Sequence, residues 1–247
     1  MGRQHTAWQG SFEIEGVTPE IAKEAFDLAA ALQTRVVPMQ IPEVPVASDS
    51  RIAVSVAADK DCPRYCGRVI EGLNPKAVTP LWMSEALKRS GIRPLSPLVD
   101  ITQFVMLELG QPMHAYDWNE IKGGKLIVES LPAGTLFKTL DGVERKLTGE
   151  ELMICDASGA IGLAGVMGGE HSSIKDSTSR VFLEVAHFKP ERIRKASQIH
   201  GLKTDASFRF ERGTDIQAKL FAMEYAAQLI QELAGGKITS EPIDYYP

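Results

Sequence analysis

Glu184, His114 and the stretch from His200 to Gly213 hold polar residues whose types and placement could carry chemistry. Glu184 interrupts a run from Val181 to Ala186, Val-Phe-Leu-Glu-Val-Ala, that otherwise reads as a buried strand. A carboxylate there must be paired, hydrogen-bonded or presented to a ligand. Arg93, Arg209 and Arg212 are candidate partners. His114 follows Gly110-Gln111-Pro112, a sharp-turn sequence that can aim a side chain into a cleft. A lone histidine in an apolar neighbourhood is otherwise a hydrogen-bonded structural residue. His200–Gly213 reads HGLKTDASFRFERG, with Lys203, Asp205, Arg209, Glu211 and Arg212 packed around Thr204, Ala206, Ser207 and two phenylalanines. Its alternation from Ala206 to Phe210 predicts an extended segment with Phe208 and Phe210 facing the core and Thr204 and Ala206 on one wall of a cleft. The plainer alternative is a packed strand whose charges form surface ion pairs.

Several chemistries have no matching pattern. There is no Ser-His-Asp order, nucleophile elbow or His-Glu-x-x-His pair. Gly159 to Gly169 is dense in glycine but lacks the Gly-Lys-Ser/Thr of a phosphate loop. It reads as tight turns between strands, or as backbone brought close to a ligand because no Cβ intervenes. Cys62 and Cys66 have no second pair with which to hold zinc, so no metal is expected. With Cys155 they read as reduced packing thiols of a cytoplasmic protein.

The elements that must position these residues follow from periodicity. Helices are expected from Thr18 to Leu32, from Thr79-Pro80 to Gly91 with Leu81, Met83 and Leu87 on the apolar stripe, and from Leu98 to Leu109. Two more are expected at Pro190–Ile199 and Ile216–Ala234, the last stopped by Gly235-Gly236. Strands are expected at Arg51–Ala57, Arg64–Glu71, Lys125–Ser130, Leu136–Leu140, Val143–Leu147, Leu152–Asp156 and Arg180–Val185. Asp141-Gly142 marks a hairpin turn. Strands clustered mid-chain between helices predict an α+β layered domain of mostly antiparallel strands flanked by helices. Residues 1–50 read as an N-terminal helix and Pro-rich linker, and residues 51–247 as one domain.

HGLKTDASFRFERG resembles the signature of the editing domain in the beta subunit of bacterial phenylalanyl-tRNA synthetase. CPRYCGRVI (Cys62–Ile70), TPLWMSEALKRSGIRPLSPLVDITQFVMLELGQPMHAYD (Thr79–Asp117) and GGEHSSIKDSTSRVFLEVAHF (Gly168–Phe188) resemble the same family in the same order, so that the likeness covers about residues 51 to 236. By this resemblance His114, Glu184, Thr204 and Ala206 occupy the main editing positions, and Arg93 and Gly168 line or border the pocket. The implied reaction is hydrolysis of tyrosine wrongly esterified to phenylalanine tRNA. Glu184 would accept the phenol, His114 and Thr204 would position the ester or a water, and Ala206 would keep the pocket open. The implied partners are the 3′ end of the aminoacylated tRNA, tyrosine, the remainder of the beta subunit and the alpha subunit; no cofactor is implied. The synthetic active site of the family lies in its alpha subunit, so an editing module by itself is expected. The alternative is a non-catalytic structural module, or one that binds a tRNA end or amino acid.

The sequence departs from the family at Gln103, commonly Asn, at Thr214-Asp215-Ile216, usually Val-Asp-Pro, and in lacking an Asn-Arg-Asp-like motif before the first helix. Hydrophobic content of 44% and charge content of 24% suit a globular domain, and no apolar run is long enough to span a membrane. A net charge of −5 argues against holding nucleic acid mainly through phosphate contacts. It leaves room for a site that takes only the end of a tRNA.

Overall fold

A computed structural model of the chain describes residues 27, 29–33, 46, 47 and 50–247. The expected helix from Thr18 to Leu32 and the Pro-rich passage after it lie mostly outside these residues, although residues 29–31 are helical. In chain order the elements are β1 (Ala53–Val56), β2 (Arg64–Leu73), α1 (Leu81–Arg89), α2 (Pro97–Leu109), β3 (His114–Asp117) and β4 (Lys125–Glu129). They continue with β5 (Leu136–Lys138), β6 (Glu144–Lys146), β7 (Met153–Asp156), β8 (Gly159–Leu163), β9 (Met167–Gly168) and β10 (Arg180–His187). The chain then forms α3 (Pro190–His200), α4 (Asp205–Phe210), α5 (Lys219–Ala234) and β11 (Gly235–Tyr245).

Strands β11-β2-β10-β3 form one antiparallel sheet, and β1-β4-β7-β8-β9 form a second in which only the β1–β4 pair is parallel. β5 and β6 make a separate hairpin. β10 lies inside the first sheet and is buried on both faces, which is why it reads as a continuous apolar run. Val181, Leu183 and Val185 join a core with α1, α2 and α5, where Met83, Ile101, Met223 and Ile230 are fully buried. Phe182 and Ala186 face the other way, into a core shared with Leu126, Ile154 and Leu163 of the second sheet. Glu184 has the parity of Phe182 and therefore points between the two sheets.

The layered α+β architecture matches the expectation; several local readings do not. The segment from Ala206 to Phe210 is helical, not extended: Thr204 caps α4, accepting from Ser207 N at 3.0 Å, while the Ser207 hydroxyl accepts from Thr204 N at 2.9 Å. Phe210 is buried, but Phe208 is 54% exposed and carries the Arg212 guanidinium over its ring. Leu81, expected on the apolar stripe of α1, is 75% exposed beside buried Met83 and Leu87. Beyond Gly235 the chain adds β11 against β2, an edge strand with a register shift between Thr239 and Ile243 where Pro242 lies. Among the described residues no helix is long and apolar enough to cross a membrane.

Candidate active site

Glu184 opposes Gly67 of β2 and His114 of β3, and the residues two positions away on each neighbour, Tyr65 and Tyr116, share its face. Both phenols donate to the same oxygen, Oε2, Tyr65 at 2.8 Å and Tyr116 at 3.1 Å. None of the arginines considered as partners reaches the carboxyl, and among the described residues no protein donor reaches Oε1. Burial pushes the Glu184 carboxyl up to about 7, against the pull of the two phenol bonds. Burial first, and Glu184 next, hold both phenols well above their usual range, so they remain donors.

Beside Glu184, between the sheets, lies a cavity of about 70 Å³. That is room for several waters on the scale where one needs roughly 10–15 Å³. His114, Tyr116, Gly168, Glu184 and Ala206 all contribute to its wall. His114 begins β3 instead of standing in a turn, and its ring packs edge-on to Tyr116 with centroids 4.4 Å apart. Its Nε2 is buried without a hydrogen-bond partner among the described residues, and burial lowers its pKa to about 4, so the ring is neutral at pH 7. The ring lines the cavity, but this nitrogen itself lies against Gly168 with almost no accessible surface.

The glycine-dense stretch gives these rings their space. A Cβ on Gly168 would lie 2.6 Å from His114 Cε1, and one on Gly162 would lie 3.1 Å from the Tyr116 hydroxyl. The missing side chains thus admit aromatic site residues, a use that the sequence reading of close backbone approach did not include.

Thr204 and Arg93 lie elsewhere. The Thr204 hydroxyl donates to Val166 O at 2.9 Å while it caps α4, so it ties that helix to the cavity wall and its proton is taken. Ala206, one turn before Phe210, thereby faces the cavity. Arg93 is exposed in the connection between α1 and α2, away from the cavity wall. Sequence reasoning overlooked Tyr65 and Tyr116, and also a buried support beneath His114. There Gln111 donates to Pro112 O at 2.6 Å and Ala186 O at 3.3 Å, and its oxygen accepts from the Lys219 ammonium. Lys219 also donates to Thr214 Oγ1 at 2.8 Å, and burial lowers its pKa to about 7.

The cavity wall offers an acidic acceptor, a neutral imidazole and backbone, with no cysteine or serine on it that could act as a nucleophile. Cys62, Cys66 and Cys155 are buried free thiols whose pKa values burial raises. Among the described residues no group of three or more His, Cys, Asp or Glu is placed to hold a metal. Such a site suits binding of a hydroxyl-bearing group and activation of water.

The chain is a member of the B3/4 domain family, whose model matches residues 61–235. The relatives it resembles include phenylalanine–tRNA ligase beta subunits. It is 50% identical over 226 residues to the one from Xylella fastidiosa, covering 92% of this chain and 28% of that protein. It is 47% identical over 193 residues to the one from Bacteroides fragilis, covering 78% of this chain and 23% of that protein. The chain thus spans well under a third of these relatives' length. A crystal structure of an N-terminal fragment of the phenylalanyl-tRNA synthetase beta subunit from Pyrococcus horikoshii shares the fold, with a TM-score of 0.53 at 15% identity over 83% of this chain and 56% of that one.

Proposed function

We propose that this domain edits: it hydrolyses the ester joining tyrosine to phenylalanine tRNA. The observation that carries the reading is Glu184, whose Oε1 has no protein donor among the described residues, on the wall of a cavity that His114 and Ala206 also line. Phenylalanine and tyrosine differ by one hydroxyl, and an apolar pocket rejects an added hydroxyl by only about a hundredfold. A second site whose buried acceptor is satisfied by that hydroxyl and stranded without it discriminates far more strongly.

In this reading the phenol donates to Oε1 and the ring lies over Ala206, whose small side chain leaves it room. His114, on the cavity wall, orients the attacking water toward the ester carbonyl. The water forms the new C–O bond, the tRNA ribose oxygen leaves, and the proton released from the water passes to that oxygen. Thr204 acts through position, holding the start of α4 against Val166. The 3′ end of the tRNA, tyrosine, and the rest of the synthetase are the partners, in the cytoplasm where charged tRNA is found. The relatives' names, phenylalanine–tRNA ligase beta subunit, fit this reading without specifying tyrosine.

The test is deacylation of Tyr-tRNA(Phe) and Phe-tRNA(Phe) by the wild type and by Glu184→Ala. The two rates should converge in the variant, with hydrolysis as such less affected. An unchanged ratio removes Glu184 from recognition.

A further inference from the structure

We infer that Tyr65 and Tyr116 determine the specificity of this cavity: by holding Oε2 of Glu184 between them they turn Oε1 to the ligand as its single acceptor, selecting an amino-acid side chain that ends in a hydroxyl. This rests on the reading of Glu184 as the side-chain acceptor and goes beyond it, because an unheld carboxyl would not discriminate.

A carboxyl offers about four lone-pair sites on two oxygens, and its terminal torsion is soft. Left alone, Glu184 could swing either oxygen toward the cavity or turn both away. The two phenols remove that freedom. They approach from opposite neighbouring strands, Tyr65 from β2 and Tyr116 from β3, and converge on one atom at 2.8 and 3.1 Å. Neither phenol has room to follow a moving carboxyl. Tyr65 has no solvent exposure, and Tyr116, at 2%, is wedged with its hydroxyl against Gly162 and its ring against His114. Two donors on Oε2 leave Oε1 with no protein partner among the described residues. A tyrosine hydroxyl satisfies Oε1; a phenylalanine ring strands it away from water, and this acceptor alone contributes roughly ten- to a hundredfold in affinity. Tyr65 acts wholly through Glu184 and is a positioning residue, whereas Tyr116 also lines the cavity.

Tyr65→Phe and Tyr116→Phe each remove one hydroxyl and keep the ring, so each frees the carboxyl without opening a large void. The measurements are deacylation of Tyr-tRNA(Phe) and Phe-tRNA(Phe), and calorimetric binding of free tyrosine and free phenylalanine, with thermal unfolding as a check of the fold. Each variant should raise KM for the tyrosyl substrate roughly tenfold, leave kcat and the phenylalanyl substrate near wild type, and lower the preference for free tyrosine by the same factor. Loss of a donor to the carboxylate should also move the pH dependence of tyrosine binding, which a purely structural role would not do. Should Tyr65→Phe unfold, Tyr116→Phe carries the test. Variants that keep both the wild-type tyrosine preference and its pH dependence overturn the inference while leaving editing intact. A wild type that prefers tyrosine but never deacylates, with variants that lose the preference, overturns editing and leaves the inference standing. A wild type with no preference in either assay overturns both.

Discussion

Replacing Glu184 by Gln tests whether burial hinders ionisation of the carboxyl at the centre of the site. The amide oxygen of glutamine can accept from both Tyr65 and Tyr116 as Oε2 does, and its nitrogen takes the place of Oε1 beside the cavity, so packing is conserved. The ionisation is lost, and with it the acceptor at Oε1. Burial raises the wild-type carboxyl from 4.5 to about 7, so between these values the folded protein binds more protons than the unfolded chain. Wild-type stability from this group is therefore fully present below the unfolded value and falls as pH rises through about 7. A shift of this size corresponds to about 3 kcal/mol at 1.36 kcal/mol per unit. His114 and His187, both lowered to about 4 by burial, have the opposite slope over much of the same range and mask the effect in the wild type. They are common to both proteins and cancel in the difference. Urea unfolding of both proteins from about pH 5 to about pH 8 should show Glu184→Gln gaining on the wild type by up to about 3 kcal/mol across that span. A difference that stays flat would mean that Glu184 is as ionised in the fold as in the open chain, and that the phenol bonds outweigh burial.

Ala206→Trp directs an indole into the cavity, so thermal unfolding should stay close to wild type while free-tyrosine binding by calorimetry and Tyr-tRNA(Phe) hydrolysis are lost. A variant that melts early, or still binds tyrosine normally, makes Ala206 a packing residue. Gly168→Ala places a Cβ 2.6 Å from His114 Cε1 and 2.8 Å from Nε2, so the imidazole must move. Deacylation should fall at least tenfold at a stability cost of about 1–3 kcal/mol, and full activity would separate His114 from the chemistry.

Much of the fold was legible because it depends on local pattern. β10 shows its burial as an unbroken apolar run, and Glu184 stands out in it because a charge there demands an explanation. α4 was misread because six residues hold less than two turns, and over that length the spacing of Phe208 and Phe210 imitates strand alternation. Thr204 ahead of Asp205 did carry a helix-start signal, and helical spacing puts Ala206 and Phe210 on one face with Phe208 turned outward. β11 was missed because its register shift near Pro242 breaks the period-two pattern. The tyrosines that hold Glu184 stand 119 and 68 residues from it in sequence, and only strand register brings them together.

The recognising carboxyl stands on a strand hydrogen-bonded on both sides, with its neighbours Leu183 and Val185 embedded in the helix-side core. Local opening of a segment is easiest where few buried contacts must be broken, and β10 is at the other extreme. The amide of Glu184 should therefore exchange with solvent only when the whole domain unfolds, at the slowest rate in the protein. A mutation anywhere that weakens the global fold will speed that exchange, while fraying of the α4 or β5–β6 side will not. The backbone that carries the acceptor is thus kept still by the same cooperative unit that keeps the domain folded.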